Sequence, residues 1–367
     1  RSINDIQSLG IFKKVETNIQ KGSKDSFKII DLNVEERPTG EISLTAGFGT
    51  AGETIGAGIR ENNFLGKGVN LDTNFEITAD SLKGKFVYAK PNFNYSDNTL
   101  FTSLESSTSD FLSQSGYKTS KLGFSLGTRF EQFQNVFLRP ELDFLVEDLE
   151  TSSKASNTIK KQEGSYTDLY FNYSINQDLR DKKFRTEDGY ITTFAQELPI
   201  ISDNSEFSNA FDISKYKKLS TRSDMVGKVS FFAKTITGLS DDVRVSKRLH
   251  IPSYKLRGFE KGKVGPVDNN DFVGGNHITT LNMSATLPNI FEGLDNLDVG
   301  VFFDAANIWG IDYDSSLDDK STIRSSTGVA LNLMTPIGPL SFSFANALTK
   351  ASSDKTESFR FNLGTQF

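Results

Sequence analysis

The 367-residue chain has no cysteine, two histidines and one tryptophan. Without cysteine there are no disulfides, thiolate metal centres or cysteine nucleophiles. With His250 and His277 alone, little room remains for a zinc site or histidine-based acid–base chemistry. No apolar run approaches the ~18 residues of a membrane-spanning helix. Mean hydropathy is −0.37. These facts exclude a helical membrane protein, but not a β-barrel, whose lipid-facing residues alternate with polar ones. A net charge of −6 gives no electrostatic reason to expect nucleic acid as a partner. Nucleotide-binding and hydrolase signatures are missing too. Gly66-Lys67-Gly68 lacks the hydroxyl residue of a phosphate-binding loop, and His277 has no nucleophile-elbow context. The chain begins at Arg1 without a signal-peptide pattern. It reads as a processed form or a piece of a longer chain, so this end is silent on targeting.

Phenylalanine (31) and glycine (29) are abundant, and the dominant signal is a period of two. In residues 69–79, Val69, Leu71, Phe75 and Ile77 alternate with Asn70, Asp72, Asn74 and Glu76. The same alternation runs through residues 168–176, 340–344 and 358–367. It predicts strands with one apolar and one polar face. A soluble sandwich would also alternate, but its strands average ~5–6 residues. Several runs here reach the ~9–11 residues that cross a bilayer at a tilt. At ~20 residues per strand plus connection, residues 41–367 make roughly 16 strands, an even number as in bacterial outer-membrane barrels. Short turns such as Glu187-Asp188-Gly189 are expected at one end. Long polar loops over 150–166, 199–209 and 310–323 are expected at the other.

Residues 1–36 differ. A short helix over 2–9 and strands over 11–20 and 27–36 form too small a core for a stable domain. They read as the tail of a preceding domain, ending at the hinge Arg37-Pro38-Thr39-Gly40. The expected boundaries are 1–37 and 38–367.

Most polar clusters have bland readings. Glu147, Asp148 and Glu150 read as solvated loop charge, and Gly274-Gly275 as a turn. Gly47, Gly49, Gly56 and Gly58 read as thinned strand faces. One constellation is less bland. Arg257, Gly258 and Phe259 lie in a Gly-rich loop over 249–276. Asp304 alternates with Val301 and Phe303 and points into a barrel if those two meet lipid. A carboxylate inside a barrel wants a cation, and a loop arginine supplies a bidentate one. The competing reading is an unrelated surface arginine and a hydrated aspartate.

The segment LRGFEKGKVGP followed by GGN at 274–276 resembles the loop-6 signature of the BamA family. VFFDAANIW at 301–309 resembles that family's FxDxG strand motif, with Ala306 at the usual glycine position. TGEISLTAGFGT and RENNFLGKG are similar to the family's first two strands. DLRDKKFRTEDGY at 178–190 is similar to its mid-barrel turn, and SFRFNLGTQF to its C-terminal signal strand. Residues 1–36 resemble the end of the last POTRA domain. The family often has a glutamate where Ser284 stands, which shifts weight to Asp304 as partner of Arg257.

The resemblance implies an all-β fold. It is a transmembrane antiparallel barrel of about 16 strands in the outer membrane, preceded by a partial α+β POTRA segment in the periplasm. It implies an insertase, not an enzyme, without cofactor or metal. Its partners would be unfolded outer-membrane β-barrel clients, accessory lipoproteins and the lipid bilayer. Arg257, Gly258, Phe259 and Asp304 would brace the interior loop. A lateral seam would join Ile42, Leu44, Ala46, Gly47 and Phe48 of the first strand to Phe361, Leu363, Gly364 and Phe367 of the last. The alternatives are a two-partner secretion transporter of the same superfamily and a passive porin.

Overall fold

A computed structural model describes residues 11–24, 26–50, 52–183, 185–220, 225–287, 296–335 and 338–364. The helix expected over 2–9 lies outside the described residues. Strands β1 (Phe12–Lys21) and β2 (Lys28–Glu36) pair antiparallel as a separate two-stranded sheet. Ile19 and Ile30 lie opposite each other on it, each 65% exposed.

Sixteen further strands close into one antiparallel barrel. They are β3 (Gly40–Gly49), β4 (Gly52–Glu61), β5 (Asn70–Thr78), β6 (Ser81–Lys90), β7 (Thr99–Phe111), β8 (Tyr117–Phe133), β9 (Val136–Thr151) and β10 (Gly164–Asp178). Then follow β11 (Gly189–Ser202), β12 (Glu206–Lys218), β13 (Val226–Gly238), β16 (His277–Thr286), β17 (Leu297–Trp309), β18 (Arg324–Thr335), β19 (Gly338–Thr349) and β20 (Phe359–Leu363). Between β13 and β16 a small hairpin, β14 (Val267–Asp268) and β15 (Asp271–Phe272), sits in the long loop.

Burial follows the period of two. Ile42, Leu44, Ile55, Phe75 and Leu122 face outward and exposed, while Gly47, Ser103, Ser214 and Asp304 face inward and are buried. Closure pairs each strand with two neighbours, most sparingly where β20 meets β3, which suits a bilayer that offers backbone no water.

We call the end where β2 enters β3 the near end, and the opposite the far end. Two loop expectations are corrected. Residues 199–209 are strand apart from 203–205, because β11 and β12 extend through them. Glu187 and Asp188 belong to a longer near-end connection, 179–188, ordered by Asp181 accepting from the amides of Glu187 and Asp188 at 3.0 and 3.1 Å. The polar stretch 310–323 is a far-end loop as expected. The stretch 150–166 narrows to a loop over 152–163 carrying a one-turn helix, α1 (Asn157–Lys160), capped by Ser156.

Candidate functional site

The loop over 239–276 leaves the far end and folds into the barrel. Hydrophobic burial drives it there. Ile251, Leu256, Phe259 and Val264 pack against Ile236, Ile278, Ala306 and Ile308 of the wall. The far-end part of the inner face of β16 and β17, at Ile278, Ala306 and Ile308, is therefore apolar beneath the loop, contrary to a simple polar-inside pattern. Ala306 is 3% exposed in this contact.

On that packing sits the arginine–aspartate pair. The Arg257 Nε and Nη2 donate to Asp304 Oδ2 and Oδ1 at 2.7 and 2.8 Å, and its backbone amide donates to Oδ2 at 3.1 Å. The guanidinium lies 3.5 Å from the Phe302 ring centroid. Asn282 Nδ2 donates to Asp304 Oδ1 at 2.8 Å and to the Lys255 carbonyl at 2.7 Å. Planar donors, an aromatic face and a dry carboxylate suit arginine and not lysine. Among the described residues, Asp304 and not Ser284 is the side chain that pairs with Arg257.

Gly258 has φ +87°, and an added Cβ would lie 3.1 Å from Ala345 and 3.3 Å from Ser326 Cβ. A side chain there is strained twice, by dihedral and by space. Ser326 Oγ donates to the Arg257 carbonyl at 2.5 Å. Phe259 is 1% exposed and bridges to Thr356.

Sequence reasoning missed four arginines that complete this arrangement. Arg360, on β20, donates from Nη1 to the Ser253 carbonyl at 2.8 Å and from Nη2 to the Phe259 carbonyl at 2.6 Å. The closing strand thereby holds the loop. Arg324 donates from Nε to Asp354 at 2.9 Å, and Asp354 accepts from the Gly265 amide at 3.1 Å. Arg248 stacks on Tyr313 and pairs with Asp312.

The fourth, Arg244, is fully buried among three carboxylates. It meets Glu147 of β9 at 3.3 Å, Asp168 of β10 at 2.5 Å and Glu206 of β12 at 3.4 Å, under the Tyr166 ring. This corrects the reading of Glu147 as solvated loop charge: it is 0% exposed on the barrel wall, with Lys121 also 3.2 Å away. Burial would lower the arginine pKa, but Glu206, Asp168 and Glu147 outweigh it and raise it. The only signal in the sequence was an acid at an inward position of each strand, indistinguishable from hydrated lumen charge.

The seam lies away from the Arg244 cluster. β3 pairs with β4 from Gly40 to Gly49. With β20 it pairs at Gly49↔Asn362 and Phe48↔Leu363 alone, plus one bond from the Thr50 amide to the Phe361 carbonyl at 3.1 Å. Of the last strand, expected over 358–367, the described residues place Phe359–Leu363 in strand. Gly364, at φ +86°, turns its amide to the Pro339 carbonyl at 2.8 Å. A Cβ on Gly364 would strike the Ala46 carbonyl oxygen. Ile42 and Leu44 are 80% and 82% exposed on the unpaired stretch of β3. Phe48 and Phe361 rings meet at 5.6 Å across the seam. Phe367 lies outside the described residues.

A barrel of this strand count, closed at its first and last strands and crossed by a pinned loop, agrees with the comparisons. The family model for the Omp85 superfamily domain matches residues 63–367. The chain belongs to the Omp85 superfamily. Within it, the chain is similar to BamA proteins. It is 22% identical to the outer membrane protein assembly factor BamA of Neorickettsia risticii over 99% of this chain and 50% of the relative. It is 25% identical to that of Neisseria meningitidis over 100% and 52%. The chain thus spans about half the length of the curated relatives it matches. A solved BamA from Haemophilus ducreyi lacking POTRA domains 1–3 superposes with a TM-score of 0.86, at 23% identity over 100% of this chain and 77% of that one. CdiB from Acinetobacter baumannii shares the fold at a TM-score of 0.63, at 12% identity over 98% and 67%. The chain is an outer-membrane β-barrel of this superfamily.

Proposed function

We propose that this barrel inserts β-barrel client proteins into the outer membrane by lending them the edge of β3. The observation that carries the reading is the seam. Two residue pairs hold β20 to β3. Most of the β3 edge, from Gly40 to Gly47, carries no strand pairing on that side among the described residues. A bilayer tolerates backbone only when its polar groups are paired, so a client strand gains by augmenting such an edge. No bond-making chemistry is needed, and the chain acts as an assembly factor and not an enzyme. Clients are unfolded outer-membrane barrels, and accessory lipoproteins assist in the periplasm, where the β1–β2 sheet closes the last POTRA domain.

Strand length supports a second contribution. β3 to β6 have 9–10 residues, whereas β8 to β10 have 15–17. At ~3.3 Å per residue and a ~45° tilt, ten residues span about 23 Å and sixteen about 37 Å. A short wall beside the seam thins the adjoining bilayer. The interior loop, pinned to β17 and β20, keeps the wall rigid while the seam opens.

The test uses the absence of native cysteine. Phe48→Cys with Leu363→Cys places thiols on directly paired residues, within disulfide reach for antiparallel neighbours. In the full-length protein, oxidation is expected to stop client insertion and reduction to restore it. Continued insertion with the crosslink formed would refute strand exchange at this seam. An exporter reading, favoured by the CdiB likeness, expects transport of a secreted chain through the lumen with the seam locked shut.

A further inference from the structure

The outer wall carries a groove that the seam mechanism does not use. It lies near the near end, across β12, β13, β16 and β17, and has a volume of about 510 Å³. Gly227 and Ala285 form its floor as cross-strand partners. Leu219 folds over one side, its Cδ2 3.1 Å from where a Gly227 Cβ would stand. Met283 and Val301 line the rest, both outward-facing and more than 40% exposed. Small residues beneath larger apolar ones make a slot sized for a hydrocarbon chain.

The groove also has a charged rim of one sign. Lys215, Lys217 and Lys228 line it, and among the described residues no carboxylate does. Lys217 is partly neutralised by Asp188 at 3.0 Å. Lys215 is exposed, with no carboxylate in ion-pair range among the described residues. It faces outward opposite Tyr190 on one side and Val229 on the other. Tyrosine and lysine side by side at a strand end mark the level of lipid headgroups. An unneutralised ammonium there, above an apolar slot, is complementary to a phosphodiester whose acyl chain enters the slot.

We infer that this groove binds an anionic phospholipid of the near-end leaflet, its phosphate on Lys215 and Lys217 and one acyl chain over Gly227 and Ala285. A zwitterionic lipid fits less well, because its own ammonium cancels the phosphate charge and meets the two lysines.

Native mass spectrometry of the detergent-purified full chain, titrated separately with palmitoyl-oleoyl phosphatidylglycerol and phosphatidylethanolamine, tests this. Phosphatidylglycerol is expected to bind more tightly. At about one factor of five per lysine near a membrane surface, Lys215→Gln lowers its affinity about fivefold and leaves phosphatidylethanolamine unchanged. Ala285→Phe fills the slot with the lysines intact and is expected to weaken phosphatidylglycerol as well. Gly227→Leu replaces it if that variant does not fold. Lys90→Gln, on the outward face of β6 near the same end, is expected to change nothing. Equal affinity for the two lipids would overturn the proposal. So would an equal loss in Lys90→Gln, which means diffuse attraction, or unaltered binding in the filled groove.

Discussion

Arg257→Ala removes the side chain that satisfies Asp304. Three hydrogen bonds to the carboxylate come from Arg257, one of them from its backbone, which the substitution retains. The variant therefore keeps one backbone and one Asn282 donor on a carboxylate whose side chain is 0% exposed. It also loses the stacking on Phe302. Stranding one member of a buried pair costs ~3–5 kcal/mol. Arg257 is 22% exposed, which places the expected value near the lower bound. The assay is a double-mutant cycle with Asp304→Leu, following urea unfolding of the folded barrel in detergent. The double variant should regain part of the loss, because no charge is then left unpaired, with a coupling of about 2 kcal/mol. Additive single-variant effects would refute the claim that the two residues act as a pair. Unchanged unfolding in Arg257→Ala would refute the bracing role itself.

Arg244→Ala should destabilise the barrel more than Arg257→Ala, near the upper end of ~3–5 kcal/mol, because it strands Asp168 and Glu206 in one dry site and leaves Glu147 to Lys121. Unfolding midpoints in the same urea series decide the order. Acid should also loosen the loop. Burial, with Arg248 adding to it, pushes His250 from 6.5 down to about 4, so the folded state holds it neutral. Its contribution is complete above the unfolded value of 6.5 and is lost as pH falls through 6.5 toward 4, by about 3 kcal/mol at most. Burial raises the Asp312 carboxyl, but Arg248 and the Val243 amide outweigh it and hold it low. That contribution is present above the ordinary carboxylate range and is lost below it. Unfolding midpoints between pH 7.5 and 4.5 should fall, and His250→Phe should flatten the upper part of the curve; an unaltered slope would count against a buried neutral histidine.

Strand existence, period and number were legible in the chain because outward apolar and inward polar residues alternate whatever the neighbours are. Val69 to Ala79 reads as a strand without knowing what it pairs with. The Arg257–Asp304 juxtaposition was legible as an option, since face parity placed Asp304 inside. Its distances were not, because they depend on Leu256 and Phe259 packing against Ile278 and Ile308 from a loop far away in sequence. Glu147 shows the limit. An inward glutamate looks the same whether water or Arg244 faces it.

The sequence by itself determined the architecture. Alternation sets which face meets lipid, and closure follows because open edges are intolerable in a bilayer. Tertiary structure alone decided how firmly the barrel closes. The pairing of β20 with β3 at two residue pairs among the described residues, against ten between β3 and β4, comes from the register between the first and last barrel strands, and periodicity carries no register.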